Sequence, residues 1–179
     1  HRYQAKERWL DAQGRDLPPY THYSVGGNTK FWGSVLFRLR REDFGPLQHV
    51  DGLSPGWPID YETLEPYYDR AERLYEVRGQ HGVDPTDPPR RPFPYAPVPH
   101  EPAVAALTDR LREQGLHPSP LPLGLLRLGE PGGCIRCGTC NSFPCKVHAK
   151  SDADVCCVRP AAERPNVTLW TNAFATRLL

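Results

Sequence analysis

The chain of 179 residues contains no methionine, and its first residue is a histidine. At a typical usage of roughly 2%, a chain of this length would hold about three or four Met, so the sequence predicts an internal piece of a longer protein or a processed chain. No stretch approaches the ~18 consecutive apolar residues of a membrane-spanning helix. The opening HRYQAKERWL is charged where an export signal needs an apolar segment. Localisation stays open on these grounds, with the cytoplasm favoured; a periplasmic site would need a signal preceding residue 1. An excess of one charge is also missing. With 22 Lys+Arg against 21 Asp+Glu, the net charge of +1 supplies no field to gather nucleic acid or an anionic membrane. No G-x-G-x-x-G run occurs, so the dinucleotide fingerprint is absent, and no internal repeat is visible.

Proline is what the chain has in excess. The 21 Pro amount to roughly 12% against a background of about 5%, and because proline lacks an N–H and fixes φ, long connecting segments are expected. Hydrophobic residues at 39% and aromatics at 10% still provide for a core in parts of the chain. A helix is expected from about Glu65 to Val77, with Tyr67, Ala71, Leu74 and Tyr75 on one face, Pro66 in the first turn and Gly79 just past the end. A second is expected from Pro102 to Gln114, with Val104, Leu107 and Leu111 on one stripe and Gly115 as the stop. A short helix is read over Tyr3–Leu10. Val35, Phe37 and Leu39 alternate as in a strand or a buried helix start, and Asn166–Asn172 reads as a strand bounded by Pro165. Residues 79–102 carry eight prolines and read as an extended arm pinned by Phe93 and Tyr95. The fold class is therefore α+β or α/β with many proline-rich extended segments.

Two features carry chemistry. Gly26-Gly27-Asn28-Thr29 allows a backbone to approach a flat or anionic ligand closely, because no Cβ intervenes; the same pair also serves as a simple turn packed on a core. Cys134, Cys137, Cys140 and Cys145 are separated by two, two and four residues. That is close to the ferredoxin run, although Cys145 is followed by Lys146 where the ferredoxin pattern has Pro. Three readings stand for these thiols: an iron–sulfur cluster, zinc, or disulfides and plain buried thiols. Cys156 and Cys157 read as buried helix or strand residues. Lys146 and Lys150 read as partners of carboxylates such as Asp152 and Asp154, and Trp57 as a core anchor.

The longer string Val25-Gly26-Gly27-Asn28-Thr29-Lys30-Phe31-Trp32-Gly33 is followed in order by Gly56-Trp57-Pro58-Ile59-Asp60-Tyr61, Glu65-Pro66-Tyr67-Tyr68-Asp69-Arg70-Ala71-Glu72 and Arg164-Pro165-Asn166-Val167-Thr168-Leu169-Trp170. Together these segments resemble the glucose-methanol-choline (GMC) oxidoreductases, FAD-dependent enzymes that oxidise alcohols and sugars. The resemblance implies a partial GMC fold. Residues 1–44 would be a flavin-flanking segment of the FAD-binding domain, and 45–132 helices and proline-rich arms of the FAD and substrate domains. Residues 133–160 would be a cysteine-rich segment and 161–179 a strand returning to the FAD-binding domain. It implies that Gly26, Gly27, Asn28, Thr29 and Gly33 lie along the flavin and pyrophosphate, and that backbone near Ala175 meets the adenine. Trp32 stands where many members have Asn, which places the chain nearer the sugar-oxidising branch. Phe31 stands where some of that branch attach FAD covalently through a His, so non-covalent FAD follows.

In the family a late His takes the hydroxyl proton. No segment here matches it, and no catalytic residue is assigned. The expected function is a piece of an FAD-dependent dehydrogenase that oxidises a CH–OH group of a sugar or alcohol by hydride transfer to flavin. Cys134, Cys137, Cys140 and Cys145 are candidate cluster ligands on the path to an electron-acceptor protein or quinone. The alternatives are an iron–sulfur or zinc electron-transfer module and a degenerate, non-catalytic interaction protein.

Overall fold

Proline every few residues leaves little room for hydrogen-bonded ladders, and regular structure is confined to short pieces. The computed structural model describes residues 7–18 and 20–177. Half of the expected Tyr3–Leu10 helix, residues 3–6, lies outside the described residues. Its described end is a turn, in which Leu10 bridges Asp16 across Gly14 at φ 78°. An antiparallel hairpin pairs β1 (Leu47–His49) with β2 (Gly52–Ser54). The long helix α1 (Tyr61–Leu74) follows, then β3 (Val77–Arg78), α2 (Pro102–Glu113) and β4 (Leu123–Gly124), with β3 antiparallel to β4. A π-type turn (Asp154–Val158), which holds Cys156 and Cys157, runs into the one-turn α3 (Arg159–Ala162).

Helix α1 begins four residues before the expected start. The Asp60 carboxylate caps it by accepting from the Thr63 N–H at 2.8 Å, so Pro66 lies inside the helix. The C-terminal side differs too. Glu76, at φ 44°, makes the left-handed exit, while Gly79 serves close packing: a Cβ there would lie 2.7 Å from the Phe93 ring. Helix α2 keeps close to its expected bounds, but Val104 and Leu107 of its apolar stripe are exposed and Thr108 is buried. Its end is a Schellman motif in which Gly115 N–H donates to Arg112 O at 2.9 Å and Leu116 N–H to Leu111 O at 3.1 Å.

Which faces are buried is the main departure from the sequence reading. On α1 the apolar residues Tyr67, Ala71 and Leu74 are exposed, and Tyr61, Asp69 and Glu72 are buried. On the segment after the glycine turn, Phe37 and Leu39 are exposed while Ser34 and Arg38 are buried. One side chain accounts for both inversions. Arg38 donates to Glu72 at 2.8 and 2.9 Å, to Asp69 at 2.6 Å and to the Tyr61 hydroxyl at 3.0 Å. Arg90 adds a second cation, 2.6 Å from Glu72, with its guanidinium 3.5 Å from the centre of the Phe93 ring. A charged face can be buried when each charge meets its opposite and hydrogen-bonds to it.

The apolar core is correspondingly small. Among the described residues it comprises Phe44, Tyr61, Val77, Leu125, Leu126 and Ala149. Trp57 rests against Phe44 with ring centres 6.0 Å apart, yet is 55% exposed, so it rims the core and does not anchor it. The chain exposes 13264 Å², against about 8,800 Å² for a closed monomer of this mass; large apolar faces therefore look outward. Residues 166–172 pair with no described strand and are exposed, because β-propensity makes a ladder only where a neighbouring edge is at hand. No helix of the described residues is long and apolar enough to cross a membrane.

Candidate functional site

The glycine pair makes a tight turn for a local reason. Gly26 and Gly27 sit at φ 90° and 53°, which side chains disfavour. Gly27 N–H donates to Ser24 O at 2.8 Å, and a single 3₁₀ turn (Gly27–Lys30) follows. A Cβ on Gly26 would lie 2.9 Å from the Asp154 Cβ, whereas one on Gly27 would meet nothing within 4 Å. One side of the turn is thus packed on the 152–154 segment and the other is open.

The side chains of the turn are hydrogen-bonded or ion-paired within the chain, that of Asn28 at the exposed surface. Asn28 Oδ1 accepts from the His22 N–H at 2.9 Å, and its Nδ2 donates to Tyr20 O at 3.2 Å. Thr29 Oγ1 donates to Gly26 O at 2.5 Å and accepts from Ala153 N–H at 3.0 Å. Lys30 Nζ lies 3.1 Å from Asp152 and 2.5 Å from Asp154, both nearly buried. Burial alone would raise the Asp154 carboxyl. Lys30 and Arg159 override that and hold it below the ordinary carboxylate range. The side chains of Asn28 and Thr29 are thus already engaged within the chain. Two buried polar atoms flanking the turn, Ser24 Oγ and Trp32 Nε1, have no partner among the described residues, which suits a ligand carrying hydrogen-bonding groups. On this test the turn fits FAD.

The cysteine loop lies directly behind the turn, where Ser142 N–H donates to Phe31 O at 2.7 Å. A cavity of about 580 Å³ is lined by Gly33, Ser34, Val104, Cys134, Cys137 and Cys140. All six cysteines are free thiols, which removes disulfides from the three readings of this loop. Cys134 Sγ accepts the Arg136 N–H and Cys145 Sγ the Ala149 N–H, each at 3.4 Å. Burial pushes the Cys134 thiol up, and the charges of Cys140, Cys145 and Cys137 add to it, so the four lie within electrostatic reach of one another. Cys137 is exposed and shifted down by hydrogen bonds from Thr139. Among the described residues, however, no three His, Cys, Asp or Glu side chains stand together closely enough to hold a metal ion. As arranged, the thiols do not fit a cluster or zinc.

Ala175 lies in exposed chain after the unpaired 166–172 run, and no hydrogen bond ties it to the glycine turn. His22 stacks on Phe31 with ring centres 4.1 Å apart, which gives it a packing role.

The sequence reading missed Arg38 and gave Lys150 a different role. Asp152 and Asp154 pair with Lys30, not with Lys150. Lys150 is fully buried and makes no ion pair with a described residue; its Nζ donates to the carbonyls of Lys30, Trp32, Cys140 and Phe143 at 2.7, 3.0, 2.7 and 2.8 Å. Burial pushes its ammonium down. A hint was present in the sequence. Of 22 cationic residues only four are Lys, and a compact ammonium, unlike a planar guanidinium, can gather carbonyls from several directions.

Comparison with known proteins gives a consistent set. The chain is 36% identical over 165 residues to paromamine 6'-oxidase of Streptomyces fradiae, covering 89% of this chain and 29% of that protein. It is 35% identical over 166 residues to 6'''-hydroxyparomomycin C oxidase of Streptomyces lividus, covering 89% and 30%. It is 28% identical over 141 residues to the fructose dehydrogenase large subunit of Gluconobacter japonicus, covering 76% and 26%. The chain thus spans less than a third of the length of these curated relatives. No family model matches it.

Proposed function

From the premise that the chain belongs to the glucose-methanol-choline oxidoreductases, we propose that it supplies the flavin-facing turn and part of the substrate side of an FAD-dependent enzyme oxidising a CH–OH group of a sugar. The observation that carries this reading is the Gly26–Gly33 turn, with its side chains engaged within the chain, open space over Gly27, and Ser24 Oγ and Trp32 Nε1 buried without partners among the described residues. FAD, when bound, accepts the hydride from the carbinol carbon. Gly26 and Gly27 let the backbone come close to it, and Lys30 with Asp152 and Asp154 fixes the turn from behind. Proton abstraction is assigned to no residue of this chain.

The sugar class is supported by the names of the relatives, which concern paromamine, a hydroxyparomomycin and fructose. The remaining features of the reading are a partial GMC fold divided at residues 44, 132 and 160, an adenine contact near Ala175, and non-covalent FAD because Phe31 stands at the attachment position. The test is anaerobic mixing of the purified full-length protein with amino sugars, fructose and simple alcohols. Bleaching of its flavin by a sugar supports the reading. Flavin that no sugar or alcohol reduces, or a protein without flavin, overturns it.

The spacing of the four cysteines along the chain and the N–H bonds already made to Cys134 and Cys145 favour a second role for the loop, as ligands of an iron–sulfur cluster. That role requires Cys134, Cys137, Cys140 and Cys145 to close together from their present arrangement. Iron and acid-labile sulfide analysis tests it, and an iron-free protein assigns the loop to unliganded thiols.

A further inference from the structure

We infer that Lys150 is a positioning residue of the flavin-facing turn: by holding the carbonyls of Lys30 and Trp32, with Ser142 on the carbonyl between them, it turns the N–H groups of Trp32 and Gly33 away from the cysteine loop, toward the side where the flavin is received. The inference rests on the cofactor reading given above and adds to it a residue some 120 positions away in sequence.

Three successive carbonyls of the turn are held by the cysteine loop. Lys30 O and Trp32 O accept from Lys150 Nζ at 2.7 and 3.0 Å, and Phe31 O between them accepts from Ser142 N–H at 2.7 Å. All peptides here are trans, and in a trans peptide the N–H of the next residue points opposite to the carbonyl. Holding those carbonyls therefore fixes the N–H groups of Phe31, Trp32 and Gly33. The Phe31 N–H returns to Asn28 O at 2.9 Å. Those of Trp32 and Gly33 donate to no described residue; the first is turned away from Ser142 and the second away from Lys150. Two adjacent backbone N–H groups, both turned away from the cysteine loop, suit the electron-rich edge of a flavin ring.

The chemistry of lysine fits this task. An ammonium has three N–H bonds, and four carbonyls surround it at 2.7–3.0 Å, so every donor is used and one is shared. No carboxylate takes any of them, and the side chain is 0% exposed. Burying an ammonium that pairs with no carboxylate is costly. A lysine that served only to balance charge would sit beside Asp152, as Lys30 does.

The test uses full-length protein and two readouts. In the wild type, hydrogen exchange is followed with FAD removed and restored. The expected result is that the amides of Trp32 and Gly33 slow when FAD returns, while the 140–150 amides are already slow without it. FAD that binds without slowing those two amides overturns the inference and leaves the cofactor reading intact; a protein that binds no FAD fails the cofactor reading itself. The second readout is the FAD affinity and visible circular dichroism of Lys150→Met against Lys146→Met. Lys150→Met is expected to bind FAD about tenfold more weakly, the equivalent of one hydrogen bond to the ring, and with an altered flavin spectrum. Lys146→Met should match wild type. Unchanged FAD affinity and spectrum in Lys150→Met overturn the inference, and if that variant does not fold, the wild-type exchange result decides alone.

Discussion

Replacing Arg38 by Met is the most informative single perturbation of the fold, because it removes a cation and leaves its anions in place. The Arg38 side chain is 1% exposed, and Asp69 and Glu72 are 9% and 7% exposed. Breaking a buried pair from one side costs about 3–5 kcal/mol, since the remaining charge is uncompensated. The remaining partners place the expected value within that range. Glu72 keeps Arg90, which is buried and 2.6 Å away. Asp69 keeps only Arg73 at 3.4 Å and Arg91 at 3.5 Å, whose side chains are 60% and 75% exposed; such solvated pairs contribute little. The loss should therefore fall toward the lower end, about 3 kcal/mol, with Asp69 as its main source. The assay is urea unfolding of the full-length protein followed by circular dichroism, with the slope checked for constancy. If the reasoning holds, R38M/D69N recovers at least about 1 kcal/mol relative to R38M, because the stranded charge is gone. A single variant within about 0.5 kcal/mol of wild type would refute it, as would a double variant no more stable than R38M.

Further expectations follow from the turn and its supports. Gly26→Ala combines a φ of 90° with a Cβ 2.9 Å from that of Asp154 and should lower stability by about 2 kcal/mol and FAD affinity with it. Gly27→Ala meets open space at φ 53° and should cost about 1 kcal/mol, so equal losses in the two thermal melts would contradict the packing argument. Lys30→Met removes one of the cations holding the Asp154 carboxyl below its ordinary value of 3.8. A depressed carboxylate stabilises the fold above its unfolded-state pKa, and that contribution is lost as pH falls through the lower folded value. The stability gap between wild type and Lys30→Met should accordingly be full at neutral pH and close below about pH 4 in melts across that range; a constant gap would count against the pairing. The non-covalent binding proposed above predicts that acid precipitation releases all the flavin into the supernatant. Flavin retained in the pellet would contradict non-covalent binding.

The parts of the fold legible in the sequence are those set by neighbours within one or two turns. Helix α2 is an example, since Pro102, the Val104–Leu107–Leu111 stripe and Gly115 are local signals and the helix ends where they place it. The early start of α1 is legible too, because Asp60 and Thr63 form an N-cap, whereas placing Pro66 in the first turn starts the helix at Glu65. Buried faces were not legible. Amphipathic reading assigns the charged side to water, and on α1 the acids at 65, 69 and 72 turn inward to an arginine about thirty residues earlier. The acidic stripe itself was visible; its partner was not. The role of Lys150 escaped for the same reason. Its four acceptors are backbone carbonyls, which leave no mark on residue type.

The glycine turn at 26–33 is the centre of the functional account, and flavin reduction in the full-length protein tests it most directly. Purified under air, the protein should carry about one FAD per chain, as expected for one site. Anaerobic addition of a sugar substrate should bleach it, and Gly26→Ala should lower the occupancy while the helical spectrum persists. A flavin-free protein that still oxidises the sugar, or full FAD occupancy in Gly26→Ala, would contradict the placement of the cofactor at this turn.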